Sequence, residues 1–120
     1  MANRELNRKL IAAFPELEDH YLEEIQWQDG DETGAHVVYG DVLKPYLLHH
    51  ITTKNKDVVQ KILAFIEKSL SENDPLLNEI IAFSVLESIL TDNIDLSYVE
   101  PMLGDHSRKT WNELKEYLHL

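Results

Sequence analysis

The sequence predicts an all-α fold, either an irregular helical bundle or a short HEAT- or armadillo-like stack of helix pairs. About six or seven helices form a single domain over residues 1–120. Three observations carry this expectation. Apolar residues recur at i, i+3/i+4 and i+7 over 55–70 and again over 75–90. Pro, Gly, Asn and Asp punctuate the chain where helices start and stop. The β-prone run Val37-Val38-Tyr39 has no convincing partner strand elsewhere, so it reads as the opening of a helix or as loop.

Taken in order, 3–13 and 16–28 are amphipathic, with Pro15 between them. Asp29-Gly30-Asp31-Glu32-Thr33-Gly34 is the clearest break, but it is too short for a domain linker. In 36–52, Gly40 and Pro45 predict a short helix or turn to about Leu43 and a second helix from Pro45. Over 55–70, Val58, Val59, Ile62, Leu63, Phe65, Ile66 and Leu70 mark one face, and Asn55 is the expected N-cap. Asp74 should cap the next helix, with Pro75 in its first turn. The apolar set of that helix, from Leu76 through Phe83 to Leu90, covers most of the circumference and predicts a central core helix. A short helix or turn is expected over 97–103. A last amphipathic helix over 107–119 uses Trp111, Leu114, Tyr117 and Leu118.

With 43% hydrophobic and 28% charged residues, the chain has the balance of a globular domain. Zero cysteines exclude disulfides and Cys-ligated zinc. The apolar stretch Leu10–Phe14 is shorter than the roughly 7–15 residues of a secretory signal core. No window approaches the ~20 apolar residues of a membrane span. A cytoplasmic protein is the expectation.

Twenty-two acids against 11 bases give a net charge of −11. Such a field repels nucleic-acid phosphates and anionic membranes, and it suits a basic protein partner. The charge is also segregated along the chain. Between Lys9 and Lys44 lie nine acids and no base (Glu16, Glu18, Asp19, Glu23, Glu24, Asp29, Asp31, Glu32 and Asp41). Between Lys68 and Arg108 lie eight more (Glu72, Asp74, Glu79, Glu87, Asp92, Asp95, Glu100 and Asp105). Two readings stand open: a solvated acidic face without a partner, or unpaired carboxylates that steer a cationic one. Tyr21, Trp27, Tyr39 and Tyr98 fall in the same windows, and aromatics of this kind serve as hot spots or as core.

Motifs for catalysis and metal binding are incomplete. Asp29-x-Asp31-x-Thr33-Gly34 matches the opening of an EF-hand loop, but the required acid at the twelfth position falls on Gly40, with Asp41 one place late. The six histidines show no metal spacing, and a His36–Asp41 contact would be structural. No G-x-S-x-G elbow or phosphate loop is present. The expectation is a protein that is not an enzyme, with no catalytic residues, cofactor or metal. The segment 40–46 carries two readings: an exposed recognition turn presenting Asp41 and Tyr46, or a structural turn with a cap at Asp41 and a helix start at Pro45.

Ala13-Phe14-Pro15-Glu16-Leu17 and the run from His36 to Leu47 (HVVYGDVLKPYL) resemble a group of short bacterial helical proteins largely without assigned function. In size, acidity and helicity the chain is also similar to immunity proteins of contact-dependent and polymorphic toxin systems. That resemblance implies binding to a basic, often nuclease-type, toxin domain, with carboxylates occupying the cations that otherwise hold substrate phosphates. No residue role transfers with it, because immunity proteins share no common motif.

The resulting expectation is an immunity or inhibitor protein, monomeric in a 1:1 complex with a protein partner, binding neither nucleic acid nor membrane. From charge and position, Glu23, Glu24, Asp29, Asp31, Glu32 and Asp41 would supply the field, with Trp27, Tyr39 and Tyr46 as anchors. The alternatives are a helical-repeat adaptor that holds a peptide in an apolar groove and, more remotely, a metal-dependent enzyme.

Overall fold

Each predicted helical segment forms, and no strand occurs among the described residues, 2–120 of a computed structural model. Six main helices follow one another: α1 (Ala2–Ala13), α2 (Glu18–Ile25), α3 (35–52), α4 (Lys56–Ser71), α5 (75–90) and α6 (Asp105–Tyr117). Single 3₁₀ turns at Pro15–Leu17, Gly30–Glu32 and Glu100–Met102 lie in the connections. The arrangement is a closed bundle. α3 touches α1, α2, α4 and α5, and α6 returns onto both α4 and α5, whereas a solenoid would let each pair meet only its neighbours. The radius of gyration is 13.7 Å, close to the value of about 13.6 Å expected for a compact chain of this length.

The expected break in 36–52 does not occur. Helix α3 runs unbroken through Gly40 and Pro45 because Tyr39–Leu43 widens into a π-helical turn, in which Lys44 N–H donates to Tyr39 O. Pro45 has no N–H, and its ring would crowd the carbonyl four residues earlier in a regular α-helix. One extra residue in the turn relieves that crowding. Gly40 permits no special approach: a Cβ there would sit 3.8 Å from Ser84, an ordinary contact. Helix α5 contains a second π turn, Ile81–Leu86, closed by Glu87 N–H donating to Ala82 O, and the two π segments pack on each other.

The core forms where these helices cross. Val38, Tyr39, Val42 and Leu43 of α3, with Ile81, Val85 and Leu86 of α5, are fully buried. Fully burying such a side chain is worth about 1.5–3 kcal/mol. Leu10 of α1, Phe14 just after it, Val59, Ile62 and Ile66 of α4, and Trp111 of α6 close over them. Phe83 and Tyr117, expected in the core from periodicity, are instead exposed, as is Leu76. Phe83 lies within the π turn of α5, whose extra residue shifts the phase of the apolar stripe.

Caps hold the helix ends. Asp74 accepts from Leu76 N–H (3.1 Å) and Leu77 N–H (3.4 Å), as its position predicts. Asn55 makes no side-chain cap hydrogen bond. The start of α6 is capped from another helix. Glu67 of α4 accepts from Ser107 N–H (2.8 Å), Ser107 Oγ–H (2.8 Å) and His106 N–H (3.1 Å), and its Oε2 lies 2.6 Å from His106 Nδ1. Burial alone would raise the Glu67 carboxyl, but these bonds outweigh it and bring the pKa down to about 2. The carboxylate occupies the space beside Gly104, where a Cβ would lie 2.6 Å from it.

Glu67→Gln should therefore cost about 1–2 kcal/mol at neutral pH in urea unfolding, the scale of a lost cap or charge-assisted bond. Because the folded carboxyl is held low, this contribution is complete above the ordinary glutamate range. It fades as pH falls through about 2. Gly104→Ala should give a loss of similar sign, because the added methyl meets the carboxylate.

Candidate partner-binding face

Helix α2 sorts its residues by period. Tyr21 and Ile25 point into the core, after Leu17 of the preceding turn. His20, Glu23, Glu24 and Trp27 recur at i, i+3, i+4 and i+7 on the solvent side. Trp27 follows α2 in the turn before the 29–34 loop, and 83% of its surface is exposed. A tryptophan this open is unusual, since burying the ring is among the larger gains available to a side chain. Glu23, Asp29 and Asp41 are exposed, and Glu24 is half-buried.

Asp41 sits in the π turn of α3, on the flank that receives α2. Its carboxyl approaches that of Glu24 closely enough to hydrogen-bond. This contact, with some burial and the charge of Asp41, holds Glu24 above the usual carboxylate range, while His20 pulls the other way. Among the described residues, no base forms an ion pair with Glu23, Glu24, Asp29 or Asp41. The sequence gives a weak sign of His20, one turn before Glu24. It gives none of the Glu24–Asp41 contact, which joins positions 17 apart on two helices.

Three of the expected contact residues have internal roles. Asp31 pairs with Arg8 (2.8 Å) and accepts from Tyr21 Oη–H (2.9 Å), so its carboxyl is held low. Glu32 pairs with Arg4 at 3.1 Å. Both acids look unpaired in the sequence because their partners lie on α1, more than twenty residues earlier. Tyr39 is corrected outright. It is fully buried and donates to Leu6 O at 2.8 Å, so it anchors α1 and cannot reach a partner. Burial pushes its phenol well above the ordinary range.

Tyr46 is half-buried. Its hydroxyl donates to Glu16 (2.6 Å), and its ring meets Phe14 and His50 edge-on. Of the other aromatics in the acidic windows, Tyr21 is buried and Tyr98 donates to Ile51 O at 2.6 Å. The face that the structure assembles from the expected set is Glu23, Glu24, Trp27 and Asp41, with Asp29 at the following turn.

The 29–34 loop also owes its shape to α1. Asn7, fully buried, donates from Nδ2 to Thr33 O (2.8 Å) and Asp31 O (3.2 Å), and Asn3 Oδ1 accepts from Ala35 N–H. With its oxygens on Arg8 and Tyr21, Asp31 is committed to the protein. Among the described residues, no three His, Asp or Glu side chains stand where they could hold a metal ion. Glu67, His106 and Ser107 together suggest a hydrolytic triad, but the bonding is different. The buried Ser107 hydroxyl donates to the carboxylate, so the imidazole has no nucleophile to activate. His36 does not reach toward Asp41; its ring lies over Gly34, 2.8 Å from where a Cβ would stand.

Fold and face define an all-α bundle with an unpaired acidic surface around one open tryptophan. The chain belongs to the family described as Domain of unknown function (DUF7674), whose model matches residues 7–119. That span reaches from α1 to just past the end of α6. No curated protein and no solved structure matches the chain.

Because Asp41 raises the Glu24 carboxyl, ionised Glu24 costs stability. The cost is absent below the ordinary glutamate range and complete once pH exceeds the raised folded value. Glu24→Gln should raise Tm at neutral pH and leave it unchanged in acid, as followed by circular dichroism. A Tm gain of equal size at both pH values would place the strain elsewhere.

Proposed function

We propose that this domain is an inhibitor of the immunity type, which binds a basic protein partner through the α2–α3 face. The observation that carries the reading is Trp27, 83% exposed and neighboured by acids that no base among the described residues neutralises. Fixed carboxylates attract a cationic surface from a distance and orient it. A tryptophan at the centre of such a field supplies the anchor, worth about 2 kcal/mol or more when it enters a pocket.

The Glu24–Asp41 pair adds a specific attraction. Two carboxyls held together repel when both ionise, and a Lys or Arg inserted between them relieves the repulsion. Binding would then lower the Glu24 pKa and release a proton where that group titrates. A nuclease-type toxin, whose cleft presents cations to phosphates, offers the chemistry this face complements.

The test begins with affinity capture of the tagged chain from its native lysate at low and high salt, with partners identified by mass spectrometry. The expected result is a stoichiometric basic protein whose activity the domain abolishes. Its association rate should fall with salt. Trp27→Ala should weaken the complex about tenfold or more. Glu23→Lys combined with Asp41→Lys should slow association while circular dichroism stays that of the folded domain. A partner bound equally well by both variants would overturn the placement of this face, and capture of no basic partner at either salt would overturn the reading itself.

A further inference from the structure

A second surface, which shares no residue with the acidic face, lies between α5 and α6. Helices α5 and α6 leave a groove between them with Ala82 and Leu114 in its lining and Phe83 and Tyr117 as its aromatic walls. The two rings meet edge-on, with centroids 6.4 Å apart. The cavity measures about 390 Å³. Beyond Phe83 a hollow of about 230 Å³ continues to Leu76 and Ile80, and past Thr110 another of about 220 Å³ reaches Lys109. Each smaller hollow shares lining residues with the groove, so the three adjoin as a channel of separate hollows. Among the described residues, Leu76, Phe83 and Tyr117 are three of the six large hydrophobic side chains left exposed. Concentrated on one channel, they form the kind of patch that marks a binding site.

We propose that this channel binds an amphipathic helical segment of a protein partner, with apolar anchors on one face and Lys or Arg along its flanks. The charge of the rim selects that occupant. Glu79 lines the central groove from α5 and Glu113 from α6, neither has an ion-pair partner among the described residues, and no base lines that groove, Lys109 standing only in the hollow past Thr110. A segment lying between them meets a carboxylate on each side, so cationic flanks are favoured and acidic flanks repelled. The stretch of α5 from Leu76 to Phe83 spans about 10 Å, enough for anchors at i, i+3/i+4 and i+7. A second copy of the chain is a poor occupant. A symmetric pairing sets Glu79 and Glu113 near their own copies in a protein of net charge −11.

The test is a displayed library of 18-residue helices, with apolar residues fixed at i, i+3, i+4 and i+7 and every other position randomised. It is selected on the intact chain and counter-selected on Phe83→Asp/Tyr117→Asp. The expected clones carry Lys or Arg beside the apolar face. Their affinity should fall about tenfold or more with Phe83→Ala and with Glu79→Lys, and hold with Asp57→Lys. Both groove aromatics are exposed, so these variants should keep the wild-type circular dichroism. The proposal is overturned if no groove-dependent clone emerges or if the enriched flanks are neutral or acidic. It is also overturned if ultracentrifugation finds a dimer of the chain that Phe83→Asp dissolves.

Discussion

Everything in this bundle leans on the crossing of α3 and α5. Seven side chains there, from Val38 to Leu43 and from Ile81 to Leu86, have no contact with water. At about 1.5–3 kcal/mol for each fully buried side chain, that cluster rivals the whole net stability of an ordinary domain. α1 reaches the crossing through Leu10 and the Tyr39–Leu6 hydrogen bond, α2 rests on the π turn of α3, and α6 rests on the π turn of α5. The exposed features take their positions from it. Asp41 meets Glu24 because the π turn carries it to the α2 side, and Phe83 stands in the groove because the other π turn turns it outward.

Around this apolar centre, polar side chains act as long-range ties. Arg4, Asn7 and Arg8 of α1 hold the 29–34 loop, Asn3 holds Ala35 at the start of α3, and Glu67 of α4 holds the start of α6. Lys9 reaches Glu72 at the end of α4. Charges segregated along the chain are thus partly mixed in space. The bases of the first helix neutralise acids drawn from both acid-rich windows, and what stays unpaired is concentrated on particular faces. The linear count overstates the free acidity of the loop and says little about that of α2.

The sequence revealed whatever depends on local periodicity. α4 and α5 follow from their apolar spacing, and the start of α5 follows from Asp74 and Pro75. Local reasoning failed where tertiary contacts decide. Pro45 predicted a break, but a widened turn accommodates it within a helix already committed to the core. Tyr39 looked available for binding because a tyrosine in an acidic stretch can serve surface or core, and only the position of α1 decides between them. Asp31 and Glu32 looked free because their partners are far away in sequence. Glu23, Glu24, Trp27 and Asp41 could be selected from charge and residue type, but their assembly into one face required the packing of α2 on α3.

The two π turns bear on how this fold tolerates changes in length. Each is a helix carrying one residue more than its turns require. Removing one residue from 39–43 or from 81–86 would restore a regular α-helix, and the remainder of that helix would keep its facing, because the widened turn absorbs the extra residue. Gaps are usually expected in loops, but here a single-residue gap in the middle of α3 or α5 would leave the helix intact. Upstream of Pro45 it would return the ring to a crowded carbonyl. Within α5 it would move Phe83 relative to Tyr117, reshaping the groove without altering any side chain that lines it. A relative that lacked one of these residues, aligned without a gap, would therefore have its core positions set against surface positions of this chain.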